Sequence, residues 1–221
     1  MEIDTKSLEK IQYFAGMSSD ELDSVKKYII SERKIAKGEI LLLDSEQSDY
    51  MYFIISGAVK VYKRSLDGKE QILNVASTGE TLNDVSTFDG GGCATDMLAM
   101  MPVLLYVVKQ KDMRVLVAEN PKIALNVARV LASKVRRDSS LVEELSFDQV
   151  ISRLARLILK QAPEGERKLP LFTQQDLAAM VGTSRVVVNR SLRTMEEKGA
   201  IRLERRRIVI IDEEALKALV T

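Results

Sequence analysis

The residues best equipped for chemistry lie near the carboxyl end. Thr173-Gln174-Gln175-Asp176 opens an apolar run, Gly182 interrupts it, and Thr183-Ser184 reopens it ahead of Arg185, Val186, Asn189, Arg190 and Arg193. Arginine presents the paired N–H donors that guanine O6 and N7 accept, asparagine complements adenine, and a valine methyl suits the methyl of thymine. From Ser184 to Ile211 there are eight Lys/Arg against three Glu, although the whole chain carries 33 Lys+Arg and 32 Asp+Glu. Such a local excess is the electrostatic footprint of a nucleic-acid face. A basic helix can also be merely a solvated face, but here cap, glycine turn, basic helix and arginine cluster occur together in that order.

These side chains need elements to hold them. The Thr173 hydroxyl suits a helix N-cap, and Asp176 favours the positive end of the helix dipole. Leu177, Ala178 and Val181 supply an apolar face before Gly182, which tolerates the left-handed backbone of a tight turn. Ser184 caps a second helix from Arg185 to about Lys198, with Val188, Leu192 and Met195 inward and Gly199 at its end. Two helices about a glycine turn form a helix-turn-helix, whose second helix offers its first turn to the major groove. Beyond it, Ile201-Arg202-Leu203 and Ile208-Val209-Ile210-Ile211 flank Glu204-Arg205-Arg206-Arg207, which reads as a hairpin wing with arginines at phosphate height. The candidate DNA-binding set is Thr173, Ser184, Arg185, Val186, Asn189, Arg190, Arg193 and Arg206.

Upstream, Gly38 to about Val108 reads as all-β. Ile40–Leu43, Tyr50–Ile55, Val59–Tyr62 and Gln71–Val75 are short β-rich runs separated by Ser56-Gly57, Asp67-Gly68 and Thr78-Gly79. Short helices are expected from Ser7 to Ile30, one starting at Ser18-Ser19-Asp20-Glu21 with Leu22, Val25 and Ile29 at helical spacing. Between Pro121 and about Leu145, Ala124, Val127, Ala128, Leu131, Val135, Val142 and Leu145 recur mostly every three or four residues. That predicts a helix of about 36 Å at 1.5 Å per residue, better explained by a partner lying along it than by internal packing alone. Phe147 to Lys160 continues helically. The implied domains are residues 1–119, 120–145 and 146–221.

Among 221 residues there is no histidine and one cysteine, Cys93. Ser-His-Asp and Cys-His catalysis, HExxH zinc sites, histidine-ligated haem and four-cysteine metal sites are thereby excluded. An enzyme is the weakest class, and no metal site is expected. A lone thiol fits a reducing cytoplasm. The first ten residues lack the apolar stretch of an export signal, and the uncharged run Met97–Val108 falls short of the roughly 18–20 residues a membrane span needs. No membrane partner is expected.

Taken together, the motifs resemble the CRP/FNR superfamily of bacterial transcription regulators. They are Lys37-Gly38-Glu39-Ile40, the Tyr52–Gly57 strand ending Ile-Ile-Ser-Gly, Val59-Lys60-Val61-Tyr62 and Asp67-Gly68-Lys69-Glu70. Arg153-Leu154-Ala155, Asp176-Leu177-Ala178, Val181-Gly182-Thr183-Ser184-Arg185 and Asn189-Arg190 complete the match. The resemblance implies an α+β protein: a jelly-roll or cupin-like β-roll (a double-stranded β-helix), a long dimerisation helix and a winged helix-turn-helix. It further implies a homodimer on palindromic double-stranded DNA, a small-molecule effector sensed by the β-roll, and RNA polymerase as a partner if the protein activates.

Departures from the family pattern matter. With Gly79 aligned to the glycine upstream of the family's phosphate cassette, its Gly-Glu and Arg-Ser/Thr positions hold Asn83-Asp84 and Ala94-Thr95. An alanine stands where arginine would neutralise a cyclic phosphate, which argues against cyclic AMP. The adenine-contacting places fall at Asp138 and Ser139, of which Ser139 keeps a hydroxyl. The candidate effector set is Asn83, Asp84, Thr95 and Ser139. Nearby Met97, Leu98, Met100 and Met101 admit two readings, core filling or a pocket for an apolar or haem-type ligand as in nitric oxide-responsive branches. Cys93, in the loop of Gly90-Gly91-Gly92, reads as an exposed bystander or a redox switch. Val186 replaces the family's cytosine-reading glutamate, so the half-site is expected to differ there. A second function class, a β-roll regulatory protein acting on a protein partner, would require the arginine wing to be incidental.

Overall fold

The computed structural model describes residues 3–162, 172–204 and 207–220. In chain order they form α1 (Thr5–Glu9), a 3-10 turn (Gln12–Phe14), α2 (Ser19–Lys26), β1 (Ile29–Ile35), β2 (Ile40–Leu42), β3 (Tyr50–Ser56), β4 (Ala58–Arg64), β5 (Glu70–Ser77) and β6 (Thr81–Leu82). Then come α3 (Asp84–Asp89), β7 (Asp96–Ala99), β8 (Val103–Lys109), α4 (Gln110–Glu119) and α5 (Pro121–Phe147). The carboxyl part holds α6 (Val150–Gln161), α7 (Gln174–Val181), α8 (Arg185–Glu197), β9 (Ile201–Glu204), β10 (Arg207–Ile210) and α9 (Glu213–Lys217). Two compact units result, one of residues 1–64 and 73–137, the other of 65–72 and 138–221.

The first unit is a roll of two four-stranded sheets, ordered β1-β8-β3-β6 and β2-β7-β4-β5. Strand β3 lies antiparallel to β8, with Tyr52 opposite Val107 and Ile54 opposite Leu105. Its apolar run is uninterrupted because both faces are buried. Tyr52 and Ile54 point into the core between the sheets, with Leu41, Val59, Met97 and Leu105. Met51 and Phe53 point the other way, against Leu8, Phe14, Leu22, Met113, Ile123 and Val127 of the covering helices. A strand covered on both sides has no need of polar alternation.

Several sequence expectations shift here. Helix α2 is closed at its start by a capping box between Ser18 and Glu21 but stops at Lys26. Ile29 therefore opens β1, opposite Val108, and does not continue the helix. Consecutive β-branched residues favour the sheet once a partner strand is available. Cys93 is not an exposed bystander: it is 1% exposed in the inter-sheet core, and its Sγ donates to Thr95 O at 3.1 Å.

The long helix proves to carry two apolar stripes. Ile123, Val127, Val130 and Leu131 pack on the β-roll core. Leu125, Ala128, Ala132, Val135 and Val142 face solvent, the three larger ones 52%, 65% and 64% exposed. In the second unit a separate core joins Leu154 and Ile158 of α6 to Leu177, Val181, Val188, Leu192, Met195, Ile201, Ile208 and Leu216.

Candidate nucleic-acid interface

The helix pair α7–α8 is built by local chemistry. Asp176 N–H donates to Thr173 Oγ1 at 3.0 Å, and Thr173 N–H donates to the Asp176 carboxylate at 3.0 Å, closing a reciprocal cap on α7. Gly182 takes φ +66°, and Thr183 N–H bonds Ala178 O at 3.0 Å, ending α7 within one residue. Ser184 Oγ then accepts from Val187 N–H and starts α8. The Gly182 C-cap of α7 and the Ser184 N-cap of α8 both lie at the turn, so α8 leaves at a defined angle.

Helix α8 is two-sided. Val188, Ser191, Leu192 and Met195 are buried, while Arg185, Val186, Arg190 and Arg193 are exposed and Asn189 is half-buried. Val186 is 70% exposed, a large apolar side chain held out in water at the start of the helix. Arg185 Nε donates to Gln174 Oε1 at 3.3 Å, which steadies its stem across the turn. Among the described residues, no carboxylate lies within ion-pairing distance of Arg185, Arg190 or Arg193. Their charges stay available to an external anion. Thr173 and Ser184 are exposed at the two helix starts.

The wing forms as an antiparallel pair, Ile201 opposite Ile210 and Glu204 opposite Arg207. Glu196 of α8 accepts from Leu203 N–H at 2.7 Å, tying β9 to the helix beside it. Arg202 and Arg207 are exposed, whereas Arg206 lies outside the described residues.

Arg153 holds this assembly to the end of α5. It is 8% exposed on α6. Its Nε donates to Val181 O at 2.9 Å, and its Nη1 to Glu144 O at 3.2 Å and Asp148 O at 2.7 Å. Those carbonyls belong to the ends of α7 and α5, where the helix dipole is negative; Glu144 O also accepts from Asp148 N–H at 3.1 Å. Arg156 beside it pairs with Asp148 at 2.5 Å and Glu144 at 3.3 Å, and the hydrogen bond it donates to Asp148 raises its pKa above the usual arginine value. The sequence singled out Arg153-Leu154-Ala155 as a motif, but its role as a three-carbonyl clamp had no local signal.

The four candidate effector residues each have a setting of their own. Asn83, in left-handed backbone at the start of α3, donates through Nδ2 to Tyr50 O at 2.8 Å. Asp84 is 3% exposed and ion-pairs with Lys134 of α5. Thr95 is half-buried and offers its carbonyl to Cys93, while Ser139 is exposed on α5. Lys134 went unnoticed in the sequence. The available signal was a lysine continuing the inward Ile123–Val127–Val130 stripe by one more turn.

The residues at the cassette positions do not suit a cyclic phosphate. Lys134 is already paired with Asp84, and half-buried Ala94 brings no charge to a cyclic phosphate. For haem, the Cys93 thiol is buried and hydrogen-bonded, and Met97 is packed in the inter-sheet core. Met97 is therefore core filling, Leu98 and Met100 are half-buried, and Met101 is 49% exposed in the turn before β8.

A β-roll joined through a long helix to a winged helix-turn-helix with an unneutralised arginine face defines a DNA-binding regulator. Two family models match, a cyclic nucleotide-binding domain over residues 32–120 and a Crp-like helix-turn-helix domain over 152–219. The chain is 32% identical over 187 residues to the CRP-like cAMP-activated global transcriptional regulator of Mycobacterium tuberculosis, covering 81% of this chain and 84% of that one. It is 28% identical over 190 residues to the cyclic AMP receptor protein of Thermus thermophilus, covering 86% and 88%. Among solved structures, FixK2 of Bradyrhizobium japonicum matches with a TM-score of 0.76 at 20% identity, over 86% of this chain and 97% of that one. The chain belongs to the CRP/FNR superfamily of transcription regulators.

Proposed function

We propose that the protein works as a homodimer that binds a palindromic site on double-stranded DNA, with the β-roll governing that binding through a signal other than cyclic AMP. The exposed basic face of α8 carries the reading. Arg185 and Arg190 would read guanines, Asn189 an adenine and Val186 a thymine methyl. Thr173, Ser184, Arg193 and Arg206 would meet phosphates and fix the register.

The dimer reading draws on α5. Leu125, Ala128, Ala132, Val135, Ser139 and Val142 follow one another at spacings of three and four along its solvent face. That is the a/d seam of a coiled coil, with residues small enough for close approach. Paired about a two-fold axis, two α8 helices would enter major grooves one helical turn apart, about 34 Å. Ser139 falls on this seam, so an effector reaching it would touch the dimer interface. An activator of this kind would also meet RNA polymerase, and its place of work would be the cytoplasm.

Binding-site selection from random duplexes with the full chain tests the reading. The expected product is a palindrome whose half-site differs from the usual family site at the base pair facing Val186. Arg185→Ala and Arg190→Ala are each expected to cost about 1–3 kcal/mol and relax specificity. Equal affinity for every sequence, or recovery of the usual half-site unchanged, would overturn it. A protein recovered in stoichiometric amount, with no DNA selected, would favour regulation of a protein partner.

A further inference from the structure

Asp84 presents a problem that the DNA-binding function does not explain. A carboxylate 3% exposed has lost most of its hydration and needs a cation. The chain brings one from 50 residues away: Lys134 Nζ donates to the Asp84 carboxylate, to Thr81 O at 3.2 Å and to Thr81 Oγ1 at 3.4 Å. Three acceptors meet the three N–H donors of one ammonium. Thr81 Oγ1 in turn donates to Asp84 Oδ2 at 3.0 Å, which fixes the carboxylate before any cation arrives.

Acceptors are left over here. Asn83 Oδ1 and Asp84 Oδ1 are buried acceptors without a hydrogen-bond partner, and the buried Tyr13 hydroxyl sits beside Thr81 and Asp84. Burial, and next the nearby Asp84 charge, push the Tyr13 hydroxyl's pKa up, so it stays protonated beside the carboxylate. A site with a surplus of acceptors and one fixed negative charge suits a donor-rich cation and repels phosphate.

We propose that Tyr13, Thr81 and Asp84 form a binding site for a primary ammonium group, filled from within the chain by Lys134. The β-roll thus carries its own ligand. Two turns earlier on α5, Asn126 Nδ2 donates to Tyr13 O at 3.1 Å and Ala15 O at 3.0 Å, so the same face of the helix is pinned at two places. Tethered in this way, Lys134 has an effective concentration in the millimolar range or above, which a free amine must exceed to displace it. The β-roll-bound position of α5 then needs no small molecule. Its consequence for DNA binding rests on the regulator reading above; the ammonium site itself does not.

The test uses the full chain and K134A, with n-butylammonium chloride as probe and sodium chloride and tetramethylammonium chloride as controls at equal ionic strength. K134A is expected to melt roughly 5–10 °C below wild type, because it strands a buried carboxylate. Butylammonium should restore part of that loss in K134A and leave wild type unmoved. Tetramethylammonium, with no N–H to give, should restore nothing. If all three salts act alike on K134A, the site is not an ammonium site. Should K134A fail to fold, K134M is compared with D84N/K134M. The double variant is expected to be the more stable, and a double variant no better than K134M overturns the proposal. Palindrome binding by wild type is measured separately, so failure of the regulator reading would leave the amine result standing.

Discussion

Replacing Arg153 by alanine removes three bonds at once, to Val181 O, Glu144 O and Asp148 O. Hydrogen bonds from a charged donor contribute about 1.5–3 kcal/mol each, and they do not add fully when one side chain makes all three. The guanidinium leaves with its bonds, so no buried charge is stranded. What remains is a cavity and two helix ends whose carbonyls have lost a donor. A loss of about 3–5 kcal/mol follows, a large part of the 5–15 kcal/mol that holds a typical domain together. Arg153→Lys keeps the charge but cannot span three carbonyls, so it should lose about half as much. Guanidinium unfolding, with duplex affinity in parallel, measures both. Affinity should fall with stability, because the clamp joins the end of α7 to the end of α5. If R153A unfolds within about 1 kcal/mol of wild type, or R153K matches wild type, the clamp does not hold the helix-turn-helix in place.

Other expectations concern separate parts of the molecule. Gly182→Ala should destabilise by at least about 1–2 kcal/mol in urea unfolding, because φ is +66° and the new Cβ would lie 2.5 Å from Leu145 Cδ2. Val135→Glu places like charges across the proposed seam and should convert dimers to monomers in light scattering without unfolding the β-roll. Val186→Glu should move half-site preference toward a C·G pair at its position by about 1–3 kcal/mol in competition binding, with other positions unchanged. Cys93 should react with thiol reagents only as the β-roll opens, since burial first of all raises its pKa and the group is 1% exposed. Rapid reaction in native buffer would contradict that placement.

The parts legible in the sequence are those decided by near neighbours. The caps at Thr173 and Ser184, the turn at Gly182 and the hairpin of β9 and β10 follow from side chains and backbone within a few residues of one another. So does the exposure of Val186 and the arginines on α8, because a buried face at Val188, Leu192 and Met195 forces residues 185, 186, 190 and 193 outward. Local signals failed where a competing partner was distant. Ile29 kept the helical period of Leu22 and Val25, yet a strand lay waiting at Val108.

What only tertiary structure decided are pairings across the chain. One apolar repeat on α5 became two stripes, since the β-roll claims Val127 and Leu131 and leaves Ala128 and Val135 outside. Cys93, among glycines that suggest a surface loop, went into the core between two sheets. Asp84 and Lys134, and Arg153 with its three carbonyls, meet over separations no spacing rule covers. Local sequence sets the backbone of each element, because caps and turns act through bonds a few ångströms long. Which face of an element is buried, and which charge meets which, depends on what the folded chain lays against it.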